Sequence, residues 1–126
     1  MILYAQTSGT LKTNSSAWAA IPGLQFELPE GVGLLALLVL NVPNPYAQGN
    51  DFPGGNFAIA VNGTVQPPFA CFTYDSASPQ STGRKPTTLV VAVPLIDGKQ
   101  KVQAMWSNVR GSTVIIDSPA TLSAVS

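Results

Sequence analysis

Histidine is absent from this 126-residue chain, and cysteine occurs once, at Cys71. Without histidine there is no Ser-His-Asp triad, no imidazole-bound metal and no histidine pH switch. One cysteine excludes an intrachain disulfide and every multi-cysteine metal or redox motif. Within FACFTY it reads as a small buried thiol. Charge is scarce as well, with six basic and six acidic residues and a formal net charge of zero. No basic stripe exists to neutralise a phosphate backbone, so nucleic acid is excluded as a partner. The only glutamates, Glu27 and Glu30, flank Pro29 in an expected solvated turn, which leaves no acid/base pair for glycoside hydrolysis. Asp51, Asp75, Asp97 and Asp117 lack calcium-loop spacing, so no metal or other cofactor is expected. Long apolar runs are missing too. The longest, Gly31 to Leu40, is about half of what a membrane-spanning helix needs. Met1-Ile2-Leu3-Tyr4 lacks a basic region followed by an apolar run, so no signal peptide is read. The expectation is a soluble protein that does not insert into membranes and is not an enzyme.

Turn punctuation, by contrast, is abundant. Eleven glycines and eleven prolines separate short apolar segments. Asn56 to Asn62 alternates, with Phe57, Ile59 and Val61 on one face. Thr87 to Leu95 aligns Leu89, Val91, Val93 and Leu95, and Pro94 marks a strand end, edge or bulge. Lys101 to Ser107 sets Val102, Ala104 and Trp106 against polar neighbours. Thr113 to Asp117 and Ala120 to Val125 read as strands around a Ser118-Pro119 turn, and Ile2 to Ala5 and Leu24 to Leu28 as two more. Val32 to Val42 is apolar on both faces, as a strand between its own core and a second surface would be. Leucine and alanine also favour a buried helix there, but Gly31, Gly33 and Pro43 bracket the segment tightly. The pattern predicts about eight to ten strands in an all-β, two-sheet sandwich, a jelly roll, as one domain over residues 1–126. Hydrophobic residues make up 45% of the chain, which points to apolar surface covered by copies of itself.

Three polar-aromatic segments stand out between Leu40 and Arg110: LNVPNPYAQGNDFPG, CFTYDSASPQSTGRKP and WSNVRGS. They hold both arginines, Arg84 and Arg110, each beside a glycine. A guanidinium offers five donors in a planar fork suited to paired acceptors such as carboxylates or vicinal hydroxyls. Ser81-Thr82-Gly83-Arg84-Lys85 has a superficial likeness to a phosphate loop, but the upstream glycine is missing and no helix follows. Asn14-Ser15-Ser16 and Asn62-Gly63-Thr64 match the glycosylation acceptor pattern, which is common by chance. Sugar binding needs planar polar groups, hydroxyls and an apolar wall for the ring. Tyr46, Thr73, Tyr74, Ser81, Thr82, Arg84 and Arg110 supply that set, although each alone is an ordinary turn or strand-end residue.

The same strings, together with FAIA, IDS and LSA, resemble the TNF-like fucose-binding lectin domain found at the N-terminus of bacterial superlectins. The resemblance covers roughly Ile21 to Val125. It implies a TNF-like jelly-roll homotrimer that binds L-fucose and fucosylated oligosaccharides without calcium, at sites between subunits. By the same resemblance Tyr46, Thr73, Tyr74, Ser81, Thr82, Arg84 and Arg110 line the sugar pocket. Asn56 stands where the family has a pocket tyrosine before FAIA. A protein with this role acts outside the cell or at its surface. The competing expectation is a structural TNF-like trimerisation or receptor-binding module, which shares the fold and needs no sugar site.

Overall fold

The computed structural model describes residues 1–49, 51–75 and 83–126. Among these the chain is all β, with eleven strands and no helix: β1 (Ile2–Gln6), β2 (Leu11–Thr13), β3 (Ala19–Leu28), β4 (Leu35–Val42), β5 (Tyr46–Gln48), β6 (Gly54–Val61), β7 (Thr64–Thr73), β8 (Thr87–Pro94), β9 (Gln100–Val109), β10 (Thr113–Ile116) and β11 (Thr121–Val125). They form two four-stranded antiparallel sheets, β1-β11-β4-β8 and β3-β9-β6-β7, and a three-stranded sheet, β2-β10-β5. Two sheets were expected. The third arises because β10 leaves the type I′ turn after β9 and pairs with two short segments, β2 and β5.

The alternation that predicts strands also fills the core. Phe57 and Ile59 of β6 and Val102, Ala104 and Trp106 of β9 point inward from one four-stranded sheet. Ala36, Leu38 and Leu40 of β4, Leu89, Val91 and Val93 of β8, and Leu122 and Ala124 of β11 meet them from the other. Phe57 and Trp106 are fully buried, and a buried aromatic of this kind contributes about 3–5 kcal/mol relative to alanine. Pro94 closes β8, as its missing N–H requires.

β7 went unread because Pro67 and Pro68 interrupt its pattern. It lies at the edge of its sheet, and its register with β6 shifts between Phe57 and Ile59, so the prolines need no ladder partner. Asn62-Gly63, read above as a glycosylation pattern, is the β6–β7 hairpin turn. Its φ values of 50° and 81° are those of a type I′ turn, and the Asn62 side chain accepts the Lys101 amide at 2.8 Å. Cys71 is exposed rather than buried. It pairs with Asn56 on β6, and strand alternation puts both on the face opposite Phe57.

The outward face of β1-β11-β4-β8 is unusual. Register aligns Ile2, Val125, Leu37 and Ala92 in one row, and Tyr4, Ser123, Val39 and Val90 in the next. Ile2, Tyr4, Leu35 and Val125 are each at least half exposed, and Leu37 and Val90 nearly so. Val39, by contrast, is only partly exposed. The strand that is apolar on both faces is therefore present, as β4, with one face in the core and the other in solvent.

Candidate functional site

The polar-aromatic segments converge at one end of the sandwich, where β4, β7 and β9 run out and β6 and β8 begin. Register defines that end: Val42 pairs with Thr87, and Gly54 lies between Thr73 and Val109. Gly54 is required there, because a Cβ would fall 2.2 Å from the Phe72 carbonyl oxygen. From the core outward, Phe57 stacks on Phe72 at 6.0 Å between centroids, and Phe72 meets Tyr74 edge-on at the same distance. The Tyr74 hydroxyl donates to the Gly83 carbonyl, and Lys85 Nζ sits 5.0 Å above the Tyr74 ring. This aromatic path carries the rigidity of the core to the surface.

Arg84 lies beside it. Its guanidinium rests on the Tyr46 ring, 4.2 Å from the centroid, and Nη1 donates to the Asn44 carbonyl at 3.2 Å. Nη1 and Nη2 donate to the two oxygens of Asp117 at 2.8 and 3.0 Å. The side chains of Arg84 and Asp117 remain 44% and 27% exposed. A pair this open contributes about 0–1 kcal/mol to folding, so what it supplies is orientation rather than stability. Asp117 was not among the expected site residues. Its signal was faint, a carboxylate directly after a β-branched strand in a charge-poor chain.

Arg110 occupies the β9–β10 turn. It and Gly111 have φ of 50° and 71°, and the Ser112 amide donates back to the Val109 carbonyl at 3.2 Å, which makes a type I′ turn. Arginine in the left-handed region costs about 1–3 kcal/mol. Side-chain bonds offset the strain, since Nε donates to the Asp51 carbonyl at 2.9 Å and Nη2 to the Phe52 carbonyl at 2.6 Å. Phe52 is itself left-handed, with φ of 47°, and its ring lies 5.9 Å from the guanidinium.

Tyr46, Tyr74 and Arg84 are thus brought together in one cluster with Asp117, while Arg110 forms a second cluster with Asp51 and Phe52. Thr73 ends β7, exposed, in register with Gly54. Asn56 shares its face of the sheet but not its exposure. Half-buried, it donates from Nδ2 to Ser107 Oγ at 3.1 Å and towards the Asn108 carbonyl at 3.4 Å. Ser81 and Thr82 lie outside the described residues. A surface hollow of about 580 Å³ lined by Gln25, Phe26, Glu27 and Lys101 sits at the other end of β9 and holds none of these groups.

Burial raises the Tyr74 phenol above its ordinary value, partly offset by a hydrogen bond with the Ala47 backbone and by the Arg84 cation, with the Tyr46 phenol adding a small push upward. A raised phenol favours the folded state fully below about pH 10, and that contribution is lost as pH rises through the folded value. Alkaline titration followed by tyrosinate absorbance should therefore show a late step, above the ordinary phenol range, from Tyr74. A Tyr74→Phe variant should remove that late step. Among the described residues no three carboxylate or thiol side chains converge as a metal site would require, and no helix is long and apolar enough to cross a membrane.

An all-β chain with guanidinium, phenol and carboxylate groups clustered at one end of a sandwich presents the convergent polar and aromatic groups that a small-ligand site uses. The chain belongs to the family of the Bc2l-C N-terminal domain, a family of TNF-like lectin domains, whose model matches residues 4–125. The match begins well before Ile21 and takes in most of the first twenty residues, which carry little of the motif resemblance. No curated protein matches the chain. Among solved structures, the dimeric latent PorU from Porphyromonas gingivalis is similar, with a TM-score of 0.45 and 15% identity. The similarity covers 96% of this chain and 13% of that one, so the chain spans a small part of PorU's length.

Proposed function

We propose that this chain is a calcium-independent lectin, recognising L-fucose and fucosylated oligosaccharides at sites completed between subunits of a TNF-like jelly-roll homotrimer. The observation that carries the reading is the Tyr46–Arg84–Asp117 cluster beside Tyr74, in a chain of a lectin-domain family. A sugar ring offers hydroxyls that both donate and accept, together with a C–H face for an aromatic wall; Arg84 and Asp117 supply the donor and acceptor, and Tyr74 stands beside them. The separate cluster at Arg110, with Thr73 nearby, fits a pocket whose second wall comes from a neighbouring subunit. Ser81 and Thr82 are assigned to the same pocket on the STGR motif. Asn56, in place of the family tyrosine, leaves that wall wider and wetter.

The trimer is supported by the outward face of β1-β11-β4-β8, where a contiguous apolar surface of this kind marks an interface. Residues 1–126 act as one domain in this reading, outside the cell or at its surface, where fucosylated glycans are displayed. The same apolar face would serve a structural trimerisation module equally well, and sugar binding separates the two. On a glycan array the protein should bind fucosylated structures and retain the signal in EDTA. An array blank for fucosides selects the structural module, and a signal lost on chelation removes the calcium-independent mechanism.

A further inference from the structure

The charge on Arg84 is already answered by the protein itself. Nη1 and Nη2 meet Oδ1 and Oδ2 of Asp117 in the same two-point fork by which an arginine takes a carboxylate ligand. The Asn44 carbonyl and the Tyr46 ring complete the restraint, so the guanidinium is fixed in direction and locally neutral. We propose that Asp117 is a specificity-determining residue: by filling the fork of Arg84 it makes the site accept neutral, hydroxyl-bearing sugar rings and refuse rings that carry a carboxylate, such as uronic and sialic acids. The inference rests on the carbohydrate-binding reading above and adds to it the ligand class that is excluded.

Donor and acceptor chemistry gives the reason. A sugar hydroxyl both donates and accepts, so it can accept from the guanidinium while donating to a lone pair of Asp117. A carboxylate only accepts. It would meet a fork already occupied and a like charge beside it, and like charges a few ångströms apart disfavour each other strongly where water is partly excluded. Refusal is local to Asp117 and not a property of the whole end of the molecule. Lys85 and Arg110 also lie there, the former over the Tyr74 ring and the latter on the carbonyls of Asp51 and Phe52. Either is a second seat for an acid if Asp117 does not govern selection.

The experiment is equilibrium binding of the wild-type chain and of Asp117→Asn to two pairs of sugars. L-fucose and D-galactose are the neutral rings, and D-galacturonic acid and N-acetylneuraminic acid the acids. The wild type should bind at least one neutral ring and bind both acids about tenfold or more weakly. Asp117→Asn keeps the shape of the side chain and loses its charge. It should bind an acid about tenfold more tightly than the wild type does, with the gain fading as salt is added. If the wild type takes acids as readily as neutral rings, the inference is overturned without recourse to a variant. It is overturned equally if Asp117→Asn, folded by circular dichroism, gains nothing for acids. Failure of the wild type to bind any neutral ring would instead remove the carbohydrate-binding reading beneath it.

Discussion

Leu37→Asp should convert the proposed trimer into monomers. Leu37 sits in the middle of the exposed face of β4, between Val125 of β11 and Ala92 of β8, and is 46% exposed in the isolated subunit. An aspartate there is tolerable in a monomer, because a surface substitution of this kind shifts stability by only about 0.5 kcal/mol. In a trimer closed about this face, three carboxylates would be forced together away from water, and each buried unpaired charge costs several kcal/mol. Light scattering should therefore show the mass falling to one third, with the circular dichroism spectrum unchanged. Fucoside binding should fall with it, by about a hundredfold or more, because each proposed site loses the wall that a neighbouring subunit supplies and the three sites are no longer linked. A variant that keeps its trimeric mass would show that this face is not the interface.

Arg84→Ala should abolish most sugar binding while leaving the melting temperature almost unmoved. Hydrogen bonds from a charged donor contribute about 1.5–3 kcal/mol, so affinity should fall by about tenfold to a hundredfold. The same substitution strips Asp117 of its partner, so the carboxylate that should accept from a sugar hydroxyl is no longer held in place. Arg84→Lys should not rescue binding. A point ammonium cannot span both Asp117 oxygens while lying flat on the Tyr46 ring, whereas the planar fork does both. Since the ion pair is open to solvent, thermal unfolding should report little change. Undiminished fucoside binding by Arg84→Ala would place the pocket elsewhere.

The fold was legible where burial is one-sided. β8 and β9 announce themselves by alternation and β4 by an apolar run, because each buries mainly one face and the side-chain period is two. β6, buried along both faces, instead alternates large with small apolar residues. β2 and β5 were not, since three residues are too few to show a period, and both owe their existence to β10 lying between them. Cys71 was misread for a related reason. Its aromatic neighbours suggest a core segment, yet on an edge strand interrupted by prolines alternation decides, and it assigns Cys71 the outward face. In the site, Tyr46, Tyr74 and the two arginines could be picked out because aromatic and cationic side chains are rare in this chain. Asp117 could not, because its role depends on a partner 33 residues earlier in the sequence. Asn56 was readable as a departure from a family tyrosine, but not as a side chain whose amide is spent on Ser107 and Asn108.

The first and last residues of the chain hold each other. The Met1 ammonium donates to the Ser126 carbonyl, and the Ser126 amide donates to the Met1 carbonyl, each at 3.1 Å. Both lie beside Leu37, about 16 Å back along β4 from Val42 and so well away from the arginines. The two ends can therefore be joined by a bridge of a few glycines and serines at little entropic cost. New ends opened at the Asn62-Gly63 hairpin would give a permuted chain with the same sheets and an untouched mouth. A label, bead or second module attached at either original end would likewise hang behind the molecule, leaving the end that carries the two arginines free to meet a surface.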